Sequence, residues 1–476
     1  MTILLWLPVL VPTLLGTLVT WRHADRWARF APLATAAVVF ATGVTLVVVG
    51  GVTSSWVLRA DAPASYVLLC IGAVAIVALW AGLTSGTHTV GVGGRADALL
   101  CAFLAAMSLA VLSDNLGVMW VAVEATTIAT AFLVGQRGTR KAIEAAWKYV
   151  VLGSVGVAIA FLGIVLIYAA TPEGGTATLS WVALTSSDHG LNPAIARIGI
   201  ALAVLGFATK AGLAPMHSWL PDAHSQAPAP VSGLMSGVLL SVAMYAILRV
   251  QALSTLYSGA GLVRGLLVTG GLLSLAVAAA LMLTQRDYKR LLAYSSIEHM
   301  GIIALGVGSG STLGLAAALL HVLGHGVVKA AMFVVAGRIL TATGSSRVGD
   351  VTGLLKTRPD LGWPFLAGTA ALLGFPPFVT FFTEVAIIVA LAVSGLPWVA
   401  AGAGLLLLVC FAGIARQVLA MTVGAPPEDV GVHRPTRSSV VPVAAGIGLC
   451  AVASLVALPL APVLVAAAQS LAVVVP

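Results

Sequence analysis

The sequence predicts an all-α polytopic membrane protein, and three observations carry that expectation. Of 476 residues, 60% are hydrophobic and only 8% charged, with a mean hydropathy of +1.07; soluble domains carry about 25% charged residues. The apolar residues gather into about fourteen segments long enough to cross a bilayer. Most basic residues collect in the links on one side of those segments.

In chain order the predicted spans are 3–20, 30–52, 64–84, 97–113, 115–135, 142–169, 193–213, 228–252, 262–284, 289–309, 312–337, 362–391, 396–422 and 439–460. The apolar stretch 461–476 either extends the last span or lies along the membrane. The polar gaps at 171–193 and 341–360 are too short for a core of their own. The first span lacks a preceding positive region, and Arg22, Arg26 and Arg29 follow it. That order predicts a retained helix with its N-terminus outside. An even number of spans then leaves both termini outside, in a plasma (inner) membrane. The net charge of +8 reflects the basic links and does not indicate a nucleic-acid partner. Cys70, Cys101, Cys410 and Cys450 stand singly in apolar runs. With no CxxC spacing, no metal or other cofactor is expected of them.

The chain has 24 Lys and Arg residues. Sorted by alternating links, the inside set includes Arg137, Arg140, Lys141, Arg286, Lys289 and Arg290, and the outside set is Arg59, Arg197, Arg249 and Arg264. Lys148, Lys210 and Lys329 are claimed by no link. Glu124, Glu298 and Glu384 also fall inside spans. A charged side chain at the bilayer centre costs at least about 2.5–3.5 kcal/mol, so such residues mark function by default. Glu144, one turn before Lys148, is placed to pair with it. His321, His325 and Lys329 recur at i, i+4 and i+8, on one helix face.

Two spans carry breaks. One is Gly206–His224, with Gly212 and Pro215 beyond Lys210; the other is Gly374–Glu384, with Pro376 and Pro377. Proline removes a helical donor and clashes with the preceding turn. The seventh and twelfth spans are five apart, as are the fifth and tenth and the sixth and eleventh. That offset predicts an inverted repeat of spans 4–8 and 9–13. The single membrane domain then divides into peripheral spans (1–96), a first repeat (97–252), a second repeat (262–422) and a C-terminal helix (439–476).

Glu124, Lys148, Lys210, Glu298, His299, His321, His325, Lys329 and Glu384 all gain or lose one proton. A buried lysine whose acidic partner can approach or withdraw is a proton switch, and histidines titrate near neutrality. Other readings use the same residues. Glu124 and Lys210 fit a static buried ion pair. His321 and His325 have the i, i+4 spacing of a zinc site, but no HExxH glutamate or third ligand is close in sequence. His299 fits a satisfied core histidine, and Asp114 fits a cap on the fifth span. His217, Asp222 and His224, at the first break, fit either an access path for protons or satisfaction of the broken backbone.

At these residues the chain resembles the antiporter-like, proton-translocating membrane subunits of respiratory complex I, group 4 membrane-bound hydrogenases and Mrp-type sodium/proton antiporters. The carrying segments are Trp120–Glu124, Lys210–His224 with its WLPDAH, Asp287–Ser296, the HVLGHGVVK around His325 and the FFTE ending at Glu384. Ser296–Gly301, with Glu298 and His299, is similar to the hydrogenase-4 component F branch. The resemblance implies that Glu124 sets the charge of Lys210, that His321, His325 and Lys329 form a central relay, and that Glu384 is its terminal group. It also implies partner subunits, membrane-embedded and peripheral, that carry the redox chemistry, while this chain moves protons without a cofactor. Many members carry a lysine on the eighth span where Ser241 stands here; either water held by Ser241 replaces it or the link between the two halves is weak. The chain stops soon after the fourteenth span, with no room for the long lateral helix of some distal complex I subunits. Two other functions remain open: an Mrp-type sodium/proton antiporter subunit and a membrane anchor that transports nothing.

Overall fold

The computed structural model describes residues 2–21, 27–84, 94–171, 178–185, 191–257, 260–425 and 440–471. Arg22 and Arg26 lie outside the described residues. Almost all of the described residues are helical, and among them is a single two-stranded hairpin, β1 (Thr53–Ser55) and β2 (Leu58–Ala60). Thirteen helices among the described residues are long and apolar enough to cross a membrane. They are α1 (Thr2–Trp21), α2 (Ala31–Val49), α3 (Ala62–Thr84), α4 (Gly94–Leu112), α5 (Leu116–Gly135), α6 (Arg140–Ala169), α8 (Pro193–Lys210), α10–α11 (Ala229–Leu234 and Leu240–Tyr257), α12 (Ala260–Thr284), α13 (Tyr288–Gly308), α14 (Thr312–Thr343), α18 (Pro397–Val423) and α19 (Val441–Leu471). The helix α7 (Trp181–Leu184) is one short turn. The apolar tail beyond residue 460 continues α19 as far as Leu471.

The predicted span 362–391 is not one helix. It is α16 (Pro359–Leu372) and α17 (Val379–Val393), 14 and 15 residues long, each too short to cross alone. Gly374 turns the chain between them with φ +63°, a conformation open to glycine and costly for other residues. The seventh span breaks in the same way after Lys210. Gly212 has φ +74°, and the chain resumes as α9 (Trp219–Gln226). Freed backbone groups at membrane depth need protein partners, and both breaks supply them. Trp219 Nε1 donates to the Thr209 carbonyl at 2.9 Å, and Ser274 Oγ accepts from Ala214 N at 2.9 Å. Thr380 Oγ1 donates to the Ala371 carbonyl at 2.5 Å.

Close backbone approach fixes the first break relative to its neighbours. On α6, Gly156, Ala160 and Gly163 face Gly199, Ala203 and Gly206 of α8. A Cβ on Gly206 would lie 2.3 Å from Ala160 N, and one on Gly163 2.4 Å from Ala203 N. Small residues at both faces let membrane helices touch along their backbones. The packing relation recurs five spans on: α6 packs against α8 and α9, as α14 packs against α16 and α17. The helix α14 runs through the centre and is buried from Gly314 to Ile339 apart from the partly exposed Ala316. The peripheral helices α1, α18 and α19 instead present exposed Leu14, Leu405 and Leu455 outward, where lipid or another subunit would cover them.

Two basic residues sit elsewhere than expected. Arg249, predicted in an outside link, lies within α11 and is 2% exposed. Its guanidinium grips Asp61 with two bonds, 2.8 and 2.5 Å, stacks 4.0 Å over the Trp181 ring and donates to Tyr245 Oη. This ties the hairpin-to-α3 junction to α7 and α11. Burial alone would raise the Asp61 carboxyl, but the charge and hydrogen bonds of Arg249 hold it below its usual value of 3.8. The stabilisation is therefore complete at neutral pH and is lost as the pH falls through that lowered value. Lys289, predicted in an inside link, is 1% exposed on the first turn of α13.

Removing one partner of a buried ion pair strands the other charge. Arg249→Gln should therefore destabilise the detergent-solubilised protein by about 3–5 kcal/mol in thermal melting. Gly206→Val should destabilise it by about 1–3 kcal/mol or more through overpacking against α6. Gly402→Val, where nothing lies within 4 Å of the added Cβ, should leave the melting temperature unchanged.

Candidate functional site

The Lys210 ammonium ends α8 and is wholly buried. A lysine ammonium has three donors and no acceptor. Here it donates to Thr127 Oγ1 of α5 at 2.7 Å and to Tyr149 Oη of α6 at 2.6 Å, with its charge 4.7 Å from the Tyr149 ring centre. Thr127 passes the contact on: its hydroxyl donates to Glu124 Oε2 at 3.2 Å. Ser154 Oγ donates to the other carboxylate oxygen at 2.7 Å. Among the described residues Glu124 and Lys210 make no direct ion pair; one hydroxyl connects them. Thr127 lies three residues after Glu124, one helical turn on, so both meet α8 from one face of α5. Glu124 itself is half-buried at the flank of the bundle.

The central helix brings a second group together. Lys329 is wholly buried and donates to the Leu292 carbonyl at 2.8 Å and to Ser295 Oγ, both on α13. Lys289 donates to the carbonyls of Ser225, at 2.5 Å, and Ala227, at 3.3 Å, at the end of α9. His224 is fully buried between Trp219 and Phe333, and neither ring nitrogen has a hydrogen-bond partner among the described residues. The Trp219 ring lies 4.9 Å from Tyr149 and 6.1 Å from His224. It therefore fills the interval between the Lys210 group and the central one, by ring contact and not by a hydrogen bond.

A third group joins α13, α14 and α17. His299 Nδ1 and His321 Nε2 are 3.0 Å apart, and His321 Nδ1 lies 2.8 Å from Thr383 Oγ1. The Thr383 hydroxyl donates to backbone carbonyls at 3.0 and 2.9 Å. Its oxygen thus accepts from His321 Nδ1–H, which fixes that ring's tautomer. His325 stands one turn from Lys329, its ring 4.9 Å from His299 and 6.3 Å from His321. Glu298 and the half-buried Glu384 line one cavity of about 310 Å³, bounded by Gly374 and by Leu408 and Phe411 of α18. A Cβ on Gly374 would meet Glu384 Oε2 at 2.5 Å. Glycine is needed there for room as well as for its backbone conformation.

Lys148 is not part of the buried set. Its side chain is 47% exposed and pairs with Glu144 at 2.7 Å and Asp222 at 3.2 Å. It sits too near the start of α6 to be drawn inward. Asp222 also binds Arg290 at 2.5 Å, and these groups line a polar pocket of about 340 Å³ beside Lys141 and Asp287. Asp222 and His224 therefore mark the outer and inner sides of α9, with Lys289 alongside. His217 is half-buried on the turn before α9, and its Nδ1 has no partner among the described residues. Asp114 does not cap α5. Asn115 does, through Gly117 N and Val118 N, while Asp114 accepts from Ser180 Oγ. The Ser241 hydroxyl turns back to the Gly237 carbonyl at 3.4 Å, beside an apolar space of about 10 Å³, at the lower limit for one water.

Sequence reading missed Thr127, Tyr149, Lys289, Ser295 and Thr383. Hydroxyls carry no charge signal in an apolar run. Lys289 could have been found from Asp287, which caps α13 through Arg290 N at 2.9 Å and so places Lys289 inside the helix.

Four similarities bear on this geometry. The family model "NADH:quinone oxidoreductase/Mrp antiporter, TM" matches residues 113–410. The chain is 38% identical over 344 residues to a hydrogenase-4 component F homolog of Methylacidiphilum infernorum, covering 72% of this chain and 71% of that one. It is 34% identical over 270 residues to NADH-quinone oxidoreductase subunit N of Desulforudis audaxviator, covering 56% of this chain and 52% of that one. A chain of the membrane-bound sulfane sulfur reductase, an archaeal respiratory membrane complex, shares the fold. Its TM-score is 0.89 at 24% identity, over 99% of this chain and 98% of that one.

Thr127→Val keeps the side-chain volume and removes the hydroxyl that joins Lys210 to Glu124. With an ammonium donor left unpaired, the expected loss of stability is about 1–3 kcal/mol, read by thermal melting. Thr127→Ser, which retains the hydroxyl, should lose less.

Proposed function

Because this chain belongs to the NADH:quinone oxidoreductase/Mrp antiporter membrane family, we propose that it moves protons through the buried groups from Glu124 to Glu384, driven by redox chemistry in partner subunits. One observation carries the reading: a fully buried lysine, at a helix break, is joined to a carboxylate through a single hydroxyl. Burial and Glu124 act on the Lys210 charge in opposite senses. Movement of Glu124 toward Thr127 holds the proton on Lys210, and its withdrawal releases the proton inward. Lys289, His224, Lys329 and His325 continue the path, and His299 and His321 hand the proton toward Glu384. The polar pocket around Asp222 is the supply side, and Lys148 belongs to it.

The row ends on a half-buried carboxylate at each flank, Glu124 and Glu384, where neighbouring membrane subunits would dock. The two sets of five spans act as two half-channels related by the repeat. The hydrogenase-4 similarity, over 72% of the chain, favours a redox-driven complex. The membrane is the plasma (inner) membrane, with the basic links inside and both termini outside. Moving one charge against 100 mV takes about 2.3 kcal/mol, which the redox partners provide.

The test is proton movement per electron in vesicles carrying the assembled complex. Lys210→Ala and Glu124→Ala should each leave assembly intact and lower that ratio. If both variants pump as the unaltered complex does, the proposal fails. Exchange that requires sodium and runs without an electron donor would show antiport instead.

A further inference from the structure

His299, His321 and Glu384 come from three helices, and one ligand atom from each lies within 4.8 Å of the others. Tetrahedral zinc with bonds of about 2.0–2.2 Å places its ligand atoms about 3.3 Å apart. The two histidine nitrogens, at 3.0 Å, are already near that spacing. Glu384 needs to close by about 1.5 Å or less to complete the geometry. Its carboxylate borders the 310 Å³ cavity, which leaves it room to move.

Three further features suit a metal. Thr383 accepts from His321 Nδ1–H and so directs the Nε2 lone pair at the cluster; such an outer partner accompanies most metal-bound histidines. Glu298 Oε2 is buried without a partner among the described residues and lines the same cavity, so a second carboxyl group faces the site. Two imidazoles and a carboxylate, with a fourth position open to the cavity, match zinc-class ligand sets and not those of sodium, calcium or magnesium. Lys329 is the nearby opposing charge, and it is turned onto Ser295 and the Leu292 carbonyl of α13.

We propose that His299, His321 and Glu384 form a binding site for a transition-metal dication of the zinc class, entered from the cavity beside Glu384. Binding replaces the hydrogen bond between the two rings. The His299 proton shifts from Nδ1 to Nε2, both facing nitrogens present lone pairs, and no net proton is released by the rings. The bound ion ties α13, α14 and α17 together. That it would also interrupt the relay before Glu384 rests on the proton-transfer reading above; the binding itself does not.

The experiment titrates the purified, chelator-stripped complex with Co²⁺, reading the visible absorption of tetrahedral cobalt, and then displaces it with Zn²⁺. The expected result is one saturable site per chain. Glu384→Gln and His321→Gln should each abolish the absorption. Thr383→Val, which removes only the orienting hydroxyl, should weaken binding about 10- to 100-fold. His217→Ala, outside the cluster, should bind normally. Glu384→Gln, on the cavity wall, keeps the test informative if His321→Gln does not fold. The proposal is overturned by absence of saturable binding, by binding undisturbed in Glu384→Gln, or by equal loss in His217→Ala. None of these outcomes depends on whether the complex pumps protons.

Discussion

An ammonium group shut away from water must be surrounded by oxygen, and the placement of Lys210 imposes this on three helices at once. Burying an unpaired charge is prohibitive, and the group would otherwise neutralise or reach the surface. The structure supplies two hydroxyls at 2.7 and 2.6 Å and an aromatic face. Tyr149 is in reach because α6 and α8 meet backbone to backbone at Gly156, Ala160, Gly163, Gly199, Ala203 and Gly206, and Thr127 is brought in by α5, which packs on α6. The glycine contact and the buried charge are therefore one design: close packing places the hydroxyls, and the hydroxyls permit the lysine.

The same logic recurs at the second break with different chemistry. Gly374 gives the Glu384 carboxylate room against the backbone, and Thr380 satisfies the freed Ala371 carbonyl. Where the first break begins at a lysine, the second is followed by a carboxylate set beside two histidines. Among the described residues the side chains between them are not joined in one unbroken hydrogen-bonded line. They form three clusters, separated by the Trp219 ring on one side and by a turn of α14 on the other.

Much of this was legible in the residue order. Composition alone dictated a membrane bundle, since so few charged residues cannot clothe a soluble surface. Gly212, Pro215 and Pro376 marked the breaks, because no helix continues through them unaided. The i, i+4, i+8 spacing put His321, His325 and Lys329 on one face of α14. Lys210, Lys329, Glu298 and Glu384 stood out because charge in an apolar run is rare. Lys148 stood out for the same reason and is nonetheless half exposed, since its depth depends on where α6 begins and on Asp222, distant in sequence.

What the sequence determined by itself is the set of helices, the two breaks and the charged groups within them, all of which follow from local chemistry. Only tertiary structure decided which groups touch. It put a threonine between Glu124 and Lys210, paired Arg249 with Asp61 across 188 positions, took Lys289 out of its link, and gathered His299, His321 and Glu384 from three helices. Those contacts depend on crossing angles and close approach between helices, and no local spacing encodes the distance between residues that meet only after the chain has folded.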